Sequence, residues 1–221
     1  MRAFAFIAAA VAAVGAVKII EEVLSILSPK EEKSNNDGTK QPIKLFESSD
    51  IPDENMLSDG KGPSGHEKIV RDTLLDHYDV RIIGDINIEK LSFCKNGAGY
   101  LLRPDIILIG TNICIEVDGE QHFDPNAFSR SLDEYNKQIE NDYCKSKTLH
   151  ENGCSLIRIP WNIINSKKIR WQEALFHYIE YLKKIKYPEI VLMDFGTGTY
   201  NKFREMSKSR DPTWKELNLY L

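Results

Sequence analysis

LLRPDIILIGTNICIEVDGEQHFD, residues 101–124, sets a row of carboxylates into an otherwise apolar frame. Residues 101–109 form one apolar run, Gly110-Thr111-Asn112 is turn chemistry, and residues 113–117 form a second run. Two such runs around a short turn predict a β-hairpin. A short buried strand has little reason to hold Asp105, Glu116 and Asp118 unless something pairs with their charge.

The loop length decides where those charges go. An even loop centred on Gly110-Thr111 sets Leu108 opposite Ile113 and Asp105 opposite Glu116. Side chains alternate along a strand, so Arg103, Asp105, Glu116 and Asp118 then share one face. Directly opposed residues lie roughly 4.5–5.5 Å apart at Cβ, close enough for two carboxylates to hold one divalent cation. A three-residue loop puts Asp105 and Glu116 on opposite faces instead. The turn chemistry accommodates both.

Outward from the hairpin, the pattern predicts helices and strands in the order αβββαβα. Residues 64–78 open with a capping box, Ser64-x-x-Glu67, and continue at helical spacing. Residues 80–93 read as one or two strands. Residues 131–152 read as an amphipathic helix with Leu132, Tyr135, Ile139, Tyr143 and Leu149 inward and Gly153 as its stop. Residues 155–159 form a third buried strand ended by Pro160, and residues 170–186 a last clear helix. Residues 189–195 are strand-like, and the polar tail beyond them has no assigned role. This order predicts an α/β, three-layer domain with a mixed central sheet flanked by helices.

Pro104-Asp105, the run IEVDGEQHF around Glu116, and LIRIPW after a helix resemble the PD-(D/E)XK nuclease superfamily. Within it the chain is similar to the very-short-patch-repair-like branch and to endonuclease-like proteins of phages and large DNA viruses. The resemblance spans roughly residues 64–161. It implies a restriction-endonuclease-like core and a DNA substrate. It also implies magnesium or manganese held by the Asp and Glu of neighbouring strands. The chain departs from the pattern at Asp118, where the family carries a lysine that helps activate water.

Each candidate residue has two readings. Asp105 and Glu116 are metal ligands with the backbone carbonyl of Val117, or partners of Arg103 or Arg158; magnesium suits such hard oxygen donors. Asp118 binds a second metal, orients a water, or caps the turn with Gly119. His122 is a general base or leaving-group acid, its reference pKa lying near neutrality, or a structural histidine beside Phe123. Gln121 is a donor to the scissile phosphate. Glu67 caps its own helix; the resemblance implies that it can join the metal site. Asp142 and Lys145 lie three apart on one helical face and match the family's D-x-x-K, so Lys145 is the candidate to supply the charge that Asp118 lacks. Arg158 contacts nucleic acid or serves as a buried counter-ion.

The chain has 221 residues, 42% hydrophobic and 28% charged, with a formal net charge of -4, so no global charge draws it to nucleic acid. Residues 137–186 nevertheless carry ten Lys or Arg against five Asp or Glu, a basic half behind the carboxylates. Four cysteines show no zinc-ligand spacing and read as free thiols of a reducing compartment. Residues 1–27 form a hydrophobic segment, either a membrane anchor or a cleaved secretory signal. Residues 28–62 read as a flexible linker, 63–187 as the core and 188–221 as a C-terminal extension. The expectation is a magnesium-dependent endodeoxyribonuclease. The alternative is an inactive nuclease-fold nucleic-acid-binding protein tethered to a membrane.

Overall fold

The computed structural model describes residues 64–82, 94, 99, 102–127 and 131–217. Segments 1–27 and 28–62, and the strand expected after residue 82, lie outside the described residues. Among the described residues no helix is long and apolar enough to cross a membrane.

Five strands form one mixed sheet in the order β1-β2-β3-β4-β5. These are β1 Val80–Ile82, β2 Ile106–Leu108, β3 Ile113–Asp118, β4 Ser155–Pro160 and β5 Ile190–Leu192. β1, β2 and β3 pair antiparallel, whereas β3, β4 and β5 run parallel. The parallel pairs need long crossovers, and helices supply them. The helices are α1 Gly65–Leu75, α2 Leu132–Glu151, α3 Trp161–Ile164, α4 Trp171–Leu182 and α5 Asn201–Arg210.

Local chemistry starts α1 and stops α2 as the sequence predicts. Ser64 with Glu67, and Ser131 with Glu134, form complete capping boxes at α1 and α2. Gly153, at φ +86°, follows the C-cap of α2, a conformation that glycine adopts at little cost. Leu132 departs from expectation: it is exposed rather than inward, because the first turn of α2 stands clear of the core. α5 was not apparent in the sequence. Only Phe203 and Ser207 of its ten residues are buried, so its apolar stripe is too thin to read.

Strand alternation gives the sheet two different faces. Ile106, Leu108, Ile113, Ile115, Ile157 and Ile159 pack against α1 and α4 in an apolar layer. Burying each such side chain contributes about 1.5–3 kcal/mol. The opposite face carries Glu116, Asp118 and Arg158, beneath α2 and α5. Tyr135, Ile139 and Tyr143 of α2 meet Tyr200 and Phe203 there. The expected core boundary at residue 187 therefore falls inside the folded body, since β5 completes the sheet and residues 200 and 203 complete the second layer.

Candidate functional site

The hairpin loop has four residues, so the even register is the one realised. Leu108 pairs with Ile113 and Ile106 with Ile115, which aligns Asp105 with Glu116. Gly110 at φ +75° makes the turn, and the Thr111 hydroxyl donates to the Leu108 carbonyl at 2.7 Å. Beyond the last ladder pair, carboxylates take over the strand bonding. The Asp105 N–H donates to Glu116 Oε1 at 3.2 Å, and the Val117 N–H donates to Asp105 Oδ2 at 2.7 Å. The Val117 backbone thus meets the pair through its N–H, not through the carbonyl expected as a ligand.

Lys145 of α2 meets this pair: its Nζ donates to Glu116 Oε2 at 2.7 Å. Glu116 is 2% exposed and the Lys145 side chain 13%. Burial pushes the Asp105 carboxyl well above its ordinary range, and the charge of Glu116 adds to the effect. Burial also raises Glu116, against the opposing pull of Lys145 and Arg158. For Lys145, burial works to depress the ammonium, but Glu116 and Asp105 outweigh it and hold it charged. Lys145 thus sets one positive charge against two carboxyls whose burial opposes ionisation.

Beside it on the same face lies a second group whose charges are balanced. Arg158, the register partner of Glu116 on β4, is 1% exposed. Its Nε donates to Asp118 Oδ2 at 2.8 Å, and its Nη2 engages Asp118 Oδ1 and, at 3.2 Å, Asp142 Oδ1. Nη1 donates to the Asp142 carbonyl and to Ser146 Oγ on α2. His122 Nδ1 sits 2.7 Å from Asp142 Oδ2 and 3.5 Å from Asp118 Oδ1. Burial alone would raise both aspartates, but Arg158 and His122 hold them below their ordinary range. Burial lowers His122, yet Asp118 and Asp142 prevail and raise it.

The expected residues therefore divide. Asp105, Glu116 and Lys145 come together. Asp118 stands apart from them: its carboxylate oxygens are taken by Arg158 and by the Tyr200 hydroxyl, at 2.6 Å. Arg158 is a buried counter-ion and not a surface contact for nucleic acid, because two aspartates and a helix backbone consume its donors. Glu67 caps α1, accepting from the Ser64 N–H at 3.2 Å, and its charge also acts on Asp105. Gln121 lies in a short 3-10 turn and folds back over Gly119, where an added Cβ would meet Gln121 Oε1 at 2.3 Å. Tyr200 went unnoticed in the sequence, since it lies 82 residues from Asp118 with no local signal.

Asp118, His122 and Asp142 also bring one ligand atom each within 4.8 Å of one another, a spacing that could hold a metal ion. The Arg158 guanidinium already contacts both of those carboxylates, and Lys145 contacts Glu116. A groove of about 390 Å³, lined in part by Lys147, His150, Tyr187 and Trp214, lies at the amino-terminal end of β5 and contains none of these residues.

No family model, curated protein or solved structure matches the chain.

Proposed function

We propose that the chain is a metal-dependent endonuclease that hydrolyses phosphodiester bonds in DNA, on a restriction-endonuclease-like core. The observation that carries this reading is the meeting of Asp105, just before β2, with Glu116 of β3 and Lys145 of α2. Two carboxylates, one of them bonded to an ammonium, are the set that the resemblance to the PD-(D/E)XK superfamily implies. The lysine arrives from a helix instead of from the strand.

Asp105 and Glu116 would hold magnesium or manganese. The ion, when bound, polarises a phosphoryl oxygen and lowers the pKa of an attacking water. Lys145 keeps its proton and places positive charge where the phosphorane oxygens develop theirs. His122 is held by Asp142 through Nδ1, which fixes the ring and leaves Nε2 for proton transfer. Gln121, on the same turn as His122, would donate to a phosphate. The hydrophobic segment at residues 1–27 would tether this activity to a membrane.

Plasmid cleavage in magnesium, in manganese and in EDTA tests the reading. Nicking or linearisation with either metal, lost in EDTA and in Glu116→Gln, is the expected result. The specific observation favouring the inactive-binder alternative is the consumption of Asp118 by Arg158. Metal-independent binding of DNA with no cleavage would establish it.

A further inference from the structure

We propose that Phe195 is a base-stacking residue that holds a nucleic-acid strand beyond the carboxyl end of the parallel strands. The proposal rests on the phosphodiesterase reading.

Among the described residues Phe195 is the non-glycine residue with positive φ, at 49°, and Gly196 follows at 75°. The Thr197 N–H donates to the Asp194 carbonyl at 2.9 Å and closes a turn whose two central residues are both left-handed. Such turns take Asn, Asp or Gly at the first central position. A phenylalanine there is strained by about 1–2 kcal/mol. Phe195 is 38% exposed, so packing offsets the strain only in part. Strained backbone that displays a large side chain to solvent is an outlier that points to function.

The turn is also held still. Asp194 Oδ1 accepts from the Gly196 N–H at 3.2 Å, and Asp194 Oδ2 pairs with Arg204 at 2.7 Å. The Thr197 and Thr199 hydroxyls lie 2.7 Å apart, and Asn162 Nδ2 donates to Thr199 at 2.9 Å. A backbone fixed in this way loses little entropy when the ring is covered.

Its position suits a substrate contact. The loop follows the carboxyl end of β5, and ligands of parallel α/β sheets bind beyond such ends. Residues later in the same loop reach the charged cluster, where the Tyr200 hydroxyl donates to Asp118. Tyr200 also packs edge-on against Phe123, the neighbour of His122, at 5.2 Å between ring centroids. The residues after Phe195 are Gly196, Thr197, Gly198 and Thr199. They offer no apolar patch for a protein partner, but they let a strand approach closely. A planar ring at the edge of such a loop matches the face of a nucleobase, and base–aromatic stacking contributes about 1–3 kcal/mol.

The test measures the affinity of a fluorescein-labelled single-stranded oligonucleotide by anisotropy, in calcium, for the full chain and for Phe195→Gly, Phe195→Leu and Phe195→Trp. The expected result is a loss of about 5- to 100-fold in Phe195→Gly and Phe195→Leu, with Phe195→Trp close to wild type. Far-UV circular dichroism of each variant, unchanged from wild type, shows that weaker binding does not reflect misfolding. Unchanged affinity in Phe195→Gly overturns the stacking role and leaves the phosphodiesterase reading intact. Equal affinity of the Leu and Trp variants overturns it as well, in favour of simple apolar contact. Absence of binding to both DNA and RNA oligonucleotides in the wild type overturns the substrate reading and this proposal together.

Discussion

Lys145 Nζ lies 2.7 Å from Glu116 Oε2, so a helix lysine supplies a cation to a strand carboxylate 29 positions earlier. The contact is made because Asp142 and Lys145 share the face of α2 that lies on the sheet, and Arg158 bonds the backbone of that helix at Asp142. Lys145→Met should lower kcat for plasmid cleavage by about 10²-fold or more, the order seen when one electrostatic stabiliser is removed. Oligonucleotide affinity should change far less. Lys147, on another face and 38% exposed in its side chain, is the control. Equal, small effects at both lysines would remove Lys145 from the centre.

Asp105→Asn should stabilise the metal-free protein at neutral pH. Burial and Glu116 raise the Asp105 carboxyl in the folded state, so its contribution is fully present below its unfolded value of about 3.9. That contribution is lost as pH rises through the folded value. Wild type and variant should therefore unfold at similar urea concentrations below about pH 4, with the variant ahead at pH 7 in EDTA. Magnesium should raise the midpoint of the wild type alone. A variant less stable than wild type at pH 7 would contradict the charge balance described for this pair.

Arg158→Met should destabilise the fold by about 3–5 kcal/mol, because Asp118 and Asp142 are left buried without their counter-ion. Tyr200→Phe deletes a single hydrogen bond to a charged acceptor and should cost about 1.5–3 kcal/mol. Urea denaturation of both variants gives the ordering. If Tyr200→Phe proved the more damaging of the two, Arg158 would not be the centre of the network.

His122 should titrate above its ordinary value when followed by NMR. Asp118 and Asp142 overcome burial and favour the imidazolium, so the histidine adds stability that is complete below about pH 6.5. That stability is lost as pH rises through the raised folded value. In Asp142→Asn the midpoint should fall toward or below the ordinary one. A midpoint unmoved by that change would show that Asp142 does not hold the ring.

Truncation after residue 187 should abolish the native fold, as read by near-UV circular dichroism. It removes β5 together with Tyr200 and Phe203, which close the layer over the charged face. A well-folded truncated protein would restore the tail to the status of an appendage.

The sequence by itself determined the local pieces of this protein. The capping box at Ser64, the stop at Gly153, the two hairpin strands and the apolar strand before Pro160 are set by contacts within a few residues, and each is legible there. The carboxylates of the hairpin also announced themselves, since charge in a short buried strand demands a partner. What only the tertiary structure decided was which partner each charge received. The turn chemistry allowed two registers, and the folded hairpin takes the one that aligns Asp105 with Glu116. Asp118 looked equivalent to Glu116, two residues along the same face, yet one meets Lys145 and the other Arg158 and Tyr200. Those partners come from α2, β4 and the loop before α5, brought together by crossovers that no local pattern encodes. A buried charge is satisfied by whatever the chain folds beside it, and that juxtaposition is a property of the packed layers.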